Sequence, residues 1–354
     1  MTTPVIIKLD SHDPDMTRLQ EAVAACRSGK VVVFPTETVY GIGGRMHAPE
    51  IEKKLRSIKG RSDTKPFSYH IGDWEMLDTL KVSKAPLVCA MARQFWPGPV
   101  TLIVPDLHQR KIGIRFPRSK IAGALFRETG EPFIATSANI SGKMSPHTAH
   151  QAAEQLHGSF DLLIDGGKTE LMQDSTVVDV AGEVPVLLRK GAQGAEVEKT
   201  VEKIKSGKCP RKRILIVCTG NSCRSPMAEG WLRREIEKKG LGSEIEIISC
   251  GTKAHDGLPC TSEAEYVMRN REIDLSKFRS RALRKGDLWC SELILAMGPQ
   301  HAEAAETMLA SSKQKTITLD VEDPIGMGMN VYEKTLLDIE TKMKQHMPKI
   351  LQLD

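Results

Sequence analysis

RILIVCTGNSCRSPMAE, residues 213–229, runs from an apolar, β-branched strand through a polar loop into a helix. The strand ends at Cys218, and the helix is expected to open with Ser225 as its cap and Pro226 at its first position. Backbone N–H groups at such a junction converge on an anion, and the helix dipole favours negative charge there. Cys218, at the mouth of that nest, should be a stabilised thiolate with a lowered pKa. Arg224, six positions on, can return over the loop and grip two phosphate oxygens. Spacing alone would also fit a structural cysteine beside an ordinary turn. The position between a strand and a capped helix argues for a nucleophile in an anion cradle. The lysine of an ATP-binding P-loop is absent from this stretch.

Downstream, strands are expected at Ile245–Ser249, Leu293–Met297 and Thr316–Leu319. A last helix, Val331–Leu351, places Leu336, Ile339, Met343 and Met347 on one face. This alternation implies a Rossmann-like, doubly wound parallel sheet. A cysteinyl phosphatase also needs an acid for its leaving group. Asp323 in DVEDPIGMGMNVYEK (320–334) fits that role, in a loop stiffened by Pro324 and turned by Gly326 and Gly328.

Upstream, the tract GAQGAEVEKTVEKIKSGKCPRK (191–212) is polar and charged, with few core positions. Part of it suits a short helix, and the tract reads as a linker over 196–211 between a domain at 1–195 and another at 212–354. In the first domain Leu19, Val23 and Cys26 recur at helical spacing and Gly29 closes the helix. Strands follow at Val31–Phe34, Val100–Val104, Ile112–Phe116, Phe133–Thr136, Leu162–Ile164 and Thr176–Val180, with a helix at Thr148–Leu156. That is a mixed-sheet α/β pattern, not simple βαβ alternation.

At 354 residues, 40% apolar and 27% charged, the chain is comfortable as two globular domains. A net charge of +5 suits phosphate-binding enzymes but does not by itself argue for nucleic acid. MTTPVIIKLD lacks the pattern of a secretory signal, and no apolar run reaches the length of a membrane span. Eight cysteines without a CxxC pair suggest free thiols in a reducing cytoplasm rather than a zinc site, so no resident metal is expected.

CTGNSCRSPMAE, SCGTKAHDGLP (249–259) and the Asp323-Pro324 loop followed by Tyr332 resemble the low-molecular-weight protein-tyrosine phosphatases from Arg213 to the end. The resemblance implies Cys218 as nucleophile, Arg224 as phosphate clamp and Asp323 as general acid, with no cofactor. Asn221, Ser222 and Ser225 would support the loop, and Cys223 would trap an oxidised nucleophile as a disulfide. The substrate stays open at this level. The pocket-flanking positions are His255 and Ile325 rather than aromatic rings. Ser222, a small hydroxyl residue, is similar to the threonine of bacterial protein-arginine phosphatases. Phosphotyrosine on a protein is the family's substrate, and phosphoarginine its competitor.

The first half carries FPTETVYGIGG (34–44), IKGRSDTKPFSYH (58–70), FWPGPVTLIV (95–104), KIGIRFP (111–117), TSANISG (136–142) and DSTVVD (174–179). Cations near strand ends suit polyanions, and hydroxyl and amide side chains suit amino-acid recognition. As an ordered set these motifs resemble the YrdC family of threonylcarbamoyl-adenylate synthases across about residues 10–195. The resemblance implies L-threonine, bicarbonate and ATP as substrates, with Mg2+ assisting the triphosphate. Thr36, His70, Arg115, Ser137 and Ser175 would hold threonine. Lys59, Arg61, Lys65, Asn139, His147 and Arg189 would hold ATP. Partners would be the machinery that transfers the threonylcarbamoyl group to tRNA, and tRNA itself, with no membrane. An RNA-binding module without synthase activity is the alternative for this half.

Overall fold

The structure, a computed structural model, describes residues 4–60, 66–206 and 211–352. The chain divides into two compact units, Met1–Lys208 and Cys209–Asp354.

The first unit is built on a mixed sheet that, among the described residues, has ten strands. They are β1 (Val5–Lys8), β2 (Val32–Pro35), β3 (Tyr40–Arg45), β4 (Ser68–His70), β5 (Val100–Pro105), β6 (Lys111–Arg115), β7 (Phe133–Ser137), β8 (Leu162–Asp165), β9 (Thr176–Asp179) and β10 (Val186–Arg189). Their order is β1-β8-β2-β3-β7-β4-β6-β5-β9-β10. Parallel pairs such as β4/β6 and β5/β9 alternate with antiparallel ones such as β3/β7 and β5/β6. The register does the positioning: His70 lies beside Arg115, which lies beside Thr101, and Gly41 lies beside Ser137.

Four of these strands have no counterpart in the sequence reading: β1, β3, β4 and β10. The strand YGIGGR is disguised by its glycines, which close approach requires. A Cβ on Gly43 would lie 2.4 Å from the Ile134 carbonyl oxygen. The tract expected as a linker from 196, with a short helix in part of it, is described up to Ser206. It lies largely in a helix, Gly194–Lys205, whose Val197 and Val201 are buried and which packs near β10. Two valines four apart supply the apolar face that the surrounding charges mask.

The second unit is a parallel sheet of β11 (Lys212–Cys218), β12 (Ile245–Gly251), β13 (Leu293–Ala296) and β14 (Thr316–Thr318), ordered β12-β11-β13-β14. Reversal of strand order beside β11 is the doubly wound arrangement, and ligands sit at the carboxyl ends of strands at such a switch point. Cys218 ends β11. The helix after it begins at Arg224, not Pro226, and Ser225 is not its cap. The Ser225 hydroxyl is drawn to the loop instead, as described below. The last helix, Met329–Leu351, buries Tyr332, Leu336, Ile339 and Met343 in the core of this unit, packing on the helices Arg224–Lys238 and Ser262–Arg269, with Met347 half-buried beside them. No helix among the described residues is long and apolar enough to cross a membrane.

Candidate active sites

In the first unit the strand ends converge on a cavity of about 290 Å³. Its wall includes Thr36, His70, Thr101, Arg115, Ser137, Asp174, Ser175 and Arg189, with Gly41, Gly113 and Ala135 keeping space open between them. Arg115 is buried. It donates from Nε to the Gly98 carbonyl at 3.1 Å, and from Nη2 to Glu37 Oε1 at 2.9 Å and Thr38 Oγ1 at 3.1 Å. Glu37 is equally buried, and its Oε2 has no partner among the described residues. Ser175 Oγ lies 3.0 Å from Thr101 Oγ1 and accepts from Arg189 Nη2 at 3.0 Å. Thr36 Oγ1 donates to the Val39 carbonyl at 2.6 Å, which tightens the turn after β2.

His70 packs edge-on against Phe34 and Phe126, with centroids 6.1 and 6.2 Å away. Burial, and then the Arg115 guanidinium, push its pKa down to about 3. A neutral imidazole therefore faces the cavity.

The expected threonine set thus lines one space. The expected ATP set is dispersed. Arg189 lines the cavity. Lys59, read as a nucleotide contact, is buried at the end of the helix Pro49–Lys59. Its ammonium donates to the Ser137 carbonyl at 2.8 Å and to Asn139 Oδ1 at 2.9 Å. Asn139 also accepts from Ser137 Oγ and donates to the Lys143 carbonyl, both at 2.6 Å. A buried ammonium needs its donors satisfied, and the SAN turn supplies the acceptors, so this pair braces the turn. His147 is half-buried off the cavity wall, and its backbone binds Gln151 and Thr169. Arg61 and Lys65 lie outside the described residues. Glu37, Thr38, Thr101 and Asp174 were not singled out in the sequence, although all four sit inside quoted motifs: FPTETVYGIGG, FWPGPVTLIV and DSTVVD.

In the second unit Cys218 is 2% exposed. Asn221, in the left-handed region at φ 53°, donates its N–H to Cys218 Sγ at 3.2 Å. Its Nδ2 donates to Ser225 Oγ and to Ser249 Oγ, each at 2.8 Å. Because Ser225 Oγ accepts there, its own proton is free for Cys218 Sγ, 2.9 Å away. The Asn221 amide oxygen in turn accepts from the Arg281 N–H at 2.7 Å. Gly251 is required beneath this loop, since a Cβ would lie 2.4 Å from the Thr219 carbonyl oxygen.

Arg224 is buried, donating from Nη1 to the Val321 carbonyl at 3.2 Å and from Nη2 to Thr219 Oγ1 at 3.4 Å. It also pairs with Asp323, whose side chain is 40% exposed. The expected lowering of the Cys218 pKa is not what the loop shows. Burial pushes the thiol up, against the pull of Ser225, Asn221 and Arg224. The guanidinium charge is partly spent on Asp323.

Cys223 is a free, buried thiol 3.3 Å from Tyr332 Oη and 3.6 Å from the hydroxyls of Thr261 and Ser222. Ser222 is half-buried, and His255 and Ile325 are exposed. Ser249 and Tyr332 were quoted in the sequence without a role assigned to them.

Residues 24–191 match the family model described as Telomere recombination, which takes in Sua5, YciO and YrdC proteins. Residues 213–354 match the one described as Low molecular weight phosphotyrosine protein phosphatase. A threonylcarbamoyl-AMP synthase of Pyrococcus abyssi is 38% identical over 316 residues, covering 79% of this chain and 88% of the relative. The chain belongs to the threonylcarbamoyl-AMP synthase family. The Bacillus subtilis synthase is 39% identical over 194 residues, 52% of this chain and 55% of its own length. The fold of the Pyrococcus abyssi synthase Sua5, solved with L-threonine, is shared at a TM-score of 0.52 and 24% identity. That match covers 97% of this chain and 98% of the other. The synthase-like and phosphatase-like matches fall on separate stretches of this one chain, residues 24–191 and 213–354.

Proposed function

We propose that the synthase unit joins L-threonine, bicarbonate and ATP into threonylcarbamoyl-AMP, releasing pyrophosphate and water, for the threonylcarbamoyladenosine modification of tRNA. The observation that carries this reading is the convergence of Thr36, His70, Arg115, Ser137, Ser175 and Arg189 on one cavity. The threonine amine and bicarbonate give a carbamate. A carbamate oxygen then bonds to the α-phosphorus as the bond to the β-phosphate oxygen breaks. No side chain becomes covalent, so catalysis is alignment and charge neutralisation. Arg115, already held by Gly98, Glu37 and Thr38, presents a fixed cation to the threonine carboxylate. Neutral His70 and the hydroxyls of Thr36, Ser137 and Ser175 suit the amine and hydroxyl of threonine. Arg189 suits the phosphates.

Mg2+ enters with ATP as substrate. No group of three His, Cys, Asp or Glu side chains fit to hold a metal gathers among the described residues, and Asp174 is the carboxylate of the cavity wall. The test is pyrophosphate release that needs both threonine and bicarbonate. Salt-sensitive tRNA binding without such release would favour an RNA-binding module instead.

The phosphatase unit is proposed to hydrolyse phosphotyrosine on proteins through a cysteinyl phosphate. Incoming phosphate takes Arg224 from Asp323; the freed carboxylate takes up the proton that the Cys218 thiol releases and gives it to the leaving oxygen as sulfur attacks phosphorus. Asp323 then deprotonates the water that breaks the P–S bond. A second reading, phosphoarginine, is favoured by Ser222 and by a rim where the exposed residues are His255 and Ile325 rather than stacking rings. Parallel hydrolysis of phosphotyrosine and phosphoarginine peptides separates the two.

A further inference from the structure

Thr219, the first residue after the nucleophile, has a partner that the phosphatase reading does not use. His301 lies in the first turn of the helix Pro299–Met308 and is 1% exposed. Its Nε2 is 2.8 Å from Thr219 Oγ1, the same oxygen that accepts from Arg224 Nη2. Its Nδ1 is buried without a partner among the described residues. A residue kept only to fill that space would do better as an aliphatic side chain, which leaves no bare polar atom. The imidazole has instead committed its other nitrogen to the catalytic loop.

We propose that His301 is a positioning residue of the phosphatase, holding the Arg224 guanidinium in place through the Thr219 hydroxyl. The inference rests on the reading of Arg224 as the phosphate clamp. When substrate displaces Asp323, Nη2 loses its carboxylate partner, and Thr219 is the side chain that remains on it. A hydroxyl can accept from Arg224 and share a proton with the imidazole at once, so the chain closes in either neutral tautomer. Charge supports the arrangement. Burial and the nearby Arg224 push the His301 pKa down to about 4, with Asp323 pulling the other way, so no second cation competes for the phosphate.

The test uses the full-length chain, an aryl phosphate substrate and inorganic phosphate as competitor. His301→Ala should raise KM and the phosphate inhibition constant about 10-fold, with a smaller change in kcat. His301→Gln, whose amide nitrogen can reach Thr219, should restore most of the loss. Thr219→Val should reproduce the Ala effect, and the double variant should add little to either alone. Additive effects, or an unchanged inhibition constant in Thr219→Val and His301→Ala, would overturn the proposal even if thermal stability fell. Arg224→Lys serves as the reference. If it too leaves phosphate affinity unchanged, the clamp reading itself fails, and the inference with it.

Discussion

Both active sites place a buried arginine against a carboxylate, but the two pairs differ in what surrounds the acid. Arg115 and Glu37 have side chains 5% and 3% exposed. Arg224 is similarly buried, while the side chain of its partner Asp323 is 40% exposed. The first carboxylate has nowhere to go, so its arginine is a permanent fixture of the cavity. The second can be displaced, so its arginine waits for a phosphate. The pairs differ in assembly too. The phosphate loop is eight consecutive residues, Cys218 to Ser225, joined to one distant acid. The synthase cavity draws on residues from 36 to 189 through strand register.

The contrast between covalent and purely aligning catalysis has the largest consequence. Cys218→Ser should reduce aryl phosphate hydrolysis by at least about 1000-fold, because the thiolate forms the intermediate. Threonine-dependent pyrophosphate release should stay at the parent level. Equal loss of both activities would mean that the sites are not chemically separate.

The second way to break the comparison is to neutralise each acid. Glu37→Gln leaves Arg115 without its buried counter-charge and should destabilise the first unit by about 3–5 kcal/mol. Asp323→Asn removes an exposed partner and should change stability by less than about 1 kcal/mol. It should nevertheless lower kcat about 100-fold and tighten phosphate binding, since Arg224 no longer has a competing anion. Chemical denaturation and phosphate inhibition measure these separately. Similar stability losses in both variants would erase the distinction between fixture and clamp.

Acid sensitivity sharpens the comparison on a third axis. The ordinary histidine value is 6.5, and folding brings His70 down to about 3 and His301 to about 4. The unfolded chain therefore takes up a proton first. The stability these neutral rings allow is present above pH 6.5 and is lost as pH falls toward 3 for His70 and toward 4 for His301. His70→Gln should flatten the pH dependence of unfolding over that window by about one proton. An unchanged slope would mean that the ring is protonated in the folded cavity.

Legibility follows the same divide. The loop of the phosphatase can be read locally, because strand, anion nest and helix are successive in the chain and each residue type has one job there. The reading still misplaced Ser225, since a serine at a helix start looks like a cap until Asn221 is seen to turn its hydroxyl toward Cys218. The threonine set was legible as motifs but not as a place. Only the pairing of β4 with β6, and β6 with β5, brings His70, Arg115 and Thr101 together. Lys59 shows the limit. A lysine beside a glycine reads as a solvated cation or a nucleotide ligand, and nothing local reveals that the SAN turn, nearly eighty residues on, will accept its protons. The glycines of β3 hid a true element, and the charges on Gly194–Lys205 hid the buried face of another, by the same mechanism, a tertiary neighbour overruling local preference.

The smallest expected effect concerns the rim of the phosphatase loop. Ser222 is half-buried beside Cys223, its hydroxyl 3.6 Å from that thiol, and its carbonyl accepts from the Thr261 N–H at 2.9 Å. Backbone tethering fixes where the side chain points, so size and polarity at this position act on the bound substrate rather than on the loop. A guanidine leaving group carries N–H donors that a hydroxyl can meet, whereas a phenol presents an apolar face. Ser222→Ile should therefore shift the ratio of phosphoarginine to phosphotyrosine hydrolysis toward tyrosine by about 10-fold, the scale of one polar contact exchanged for an apolar one. A small aryl phosphate should be hydrolysed much as before, which separates selectivity from damage to the loop. A ratio that does not move would assign substrate choice to the exposed rim at His255 and Ile325.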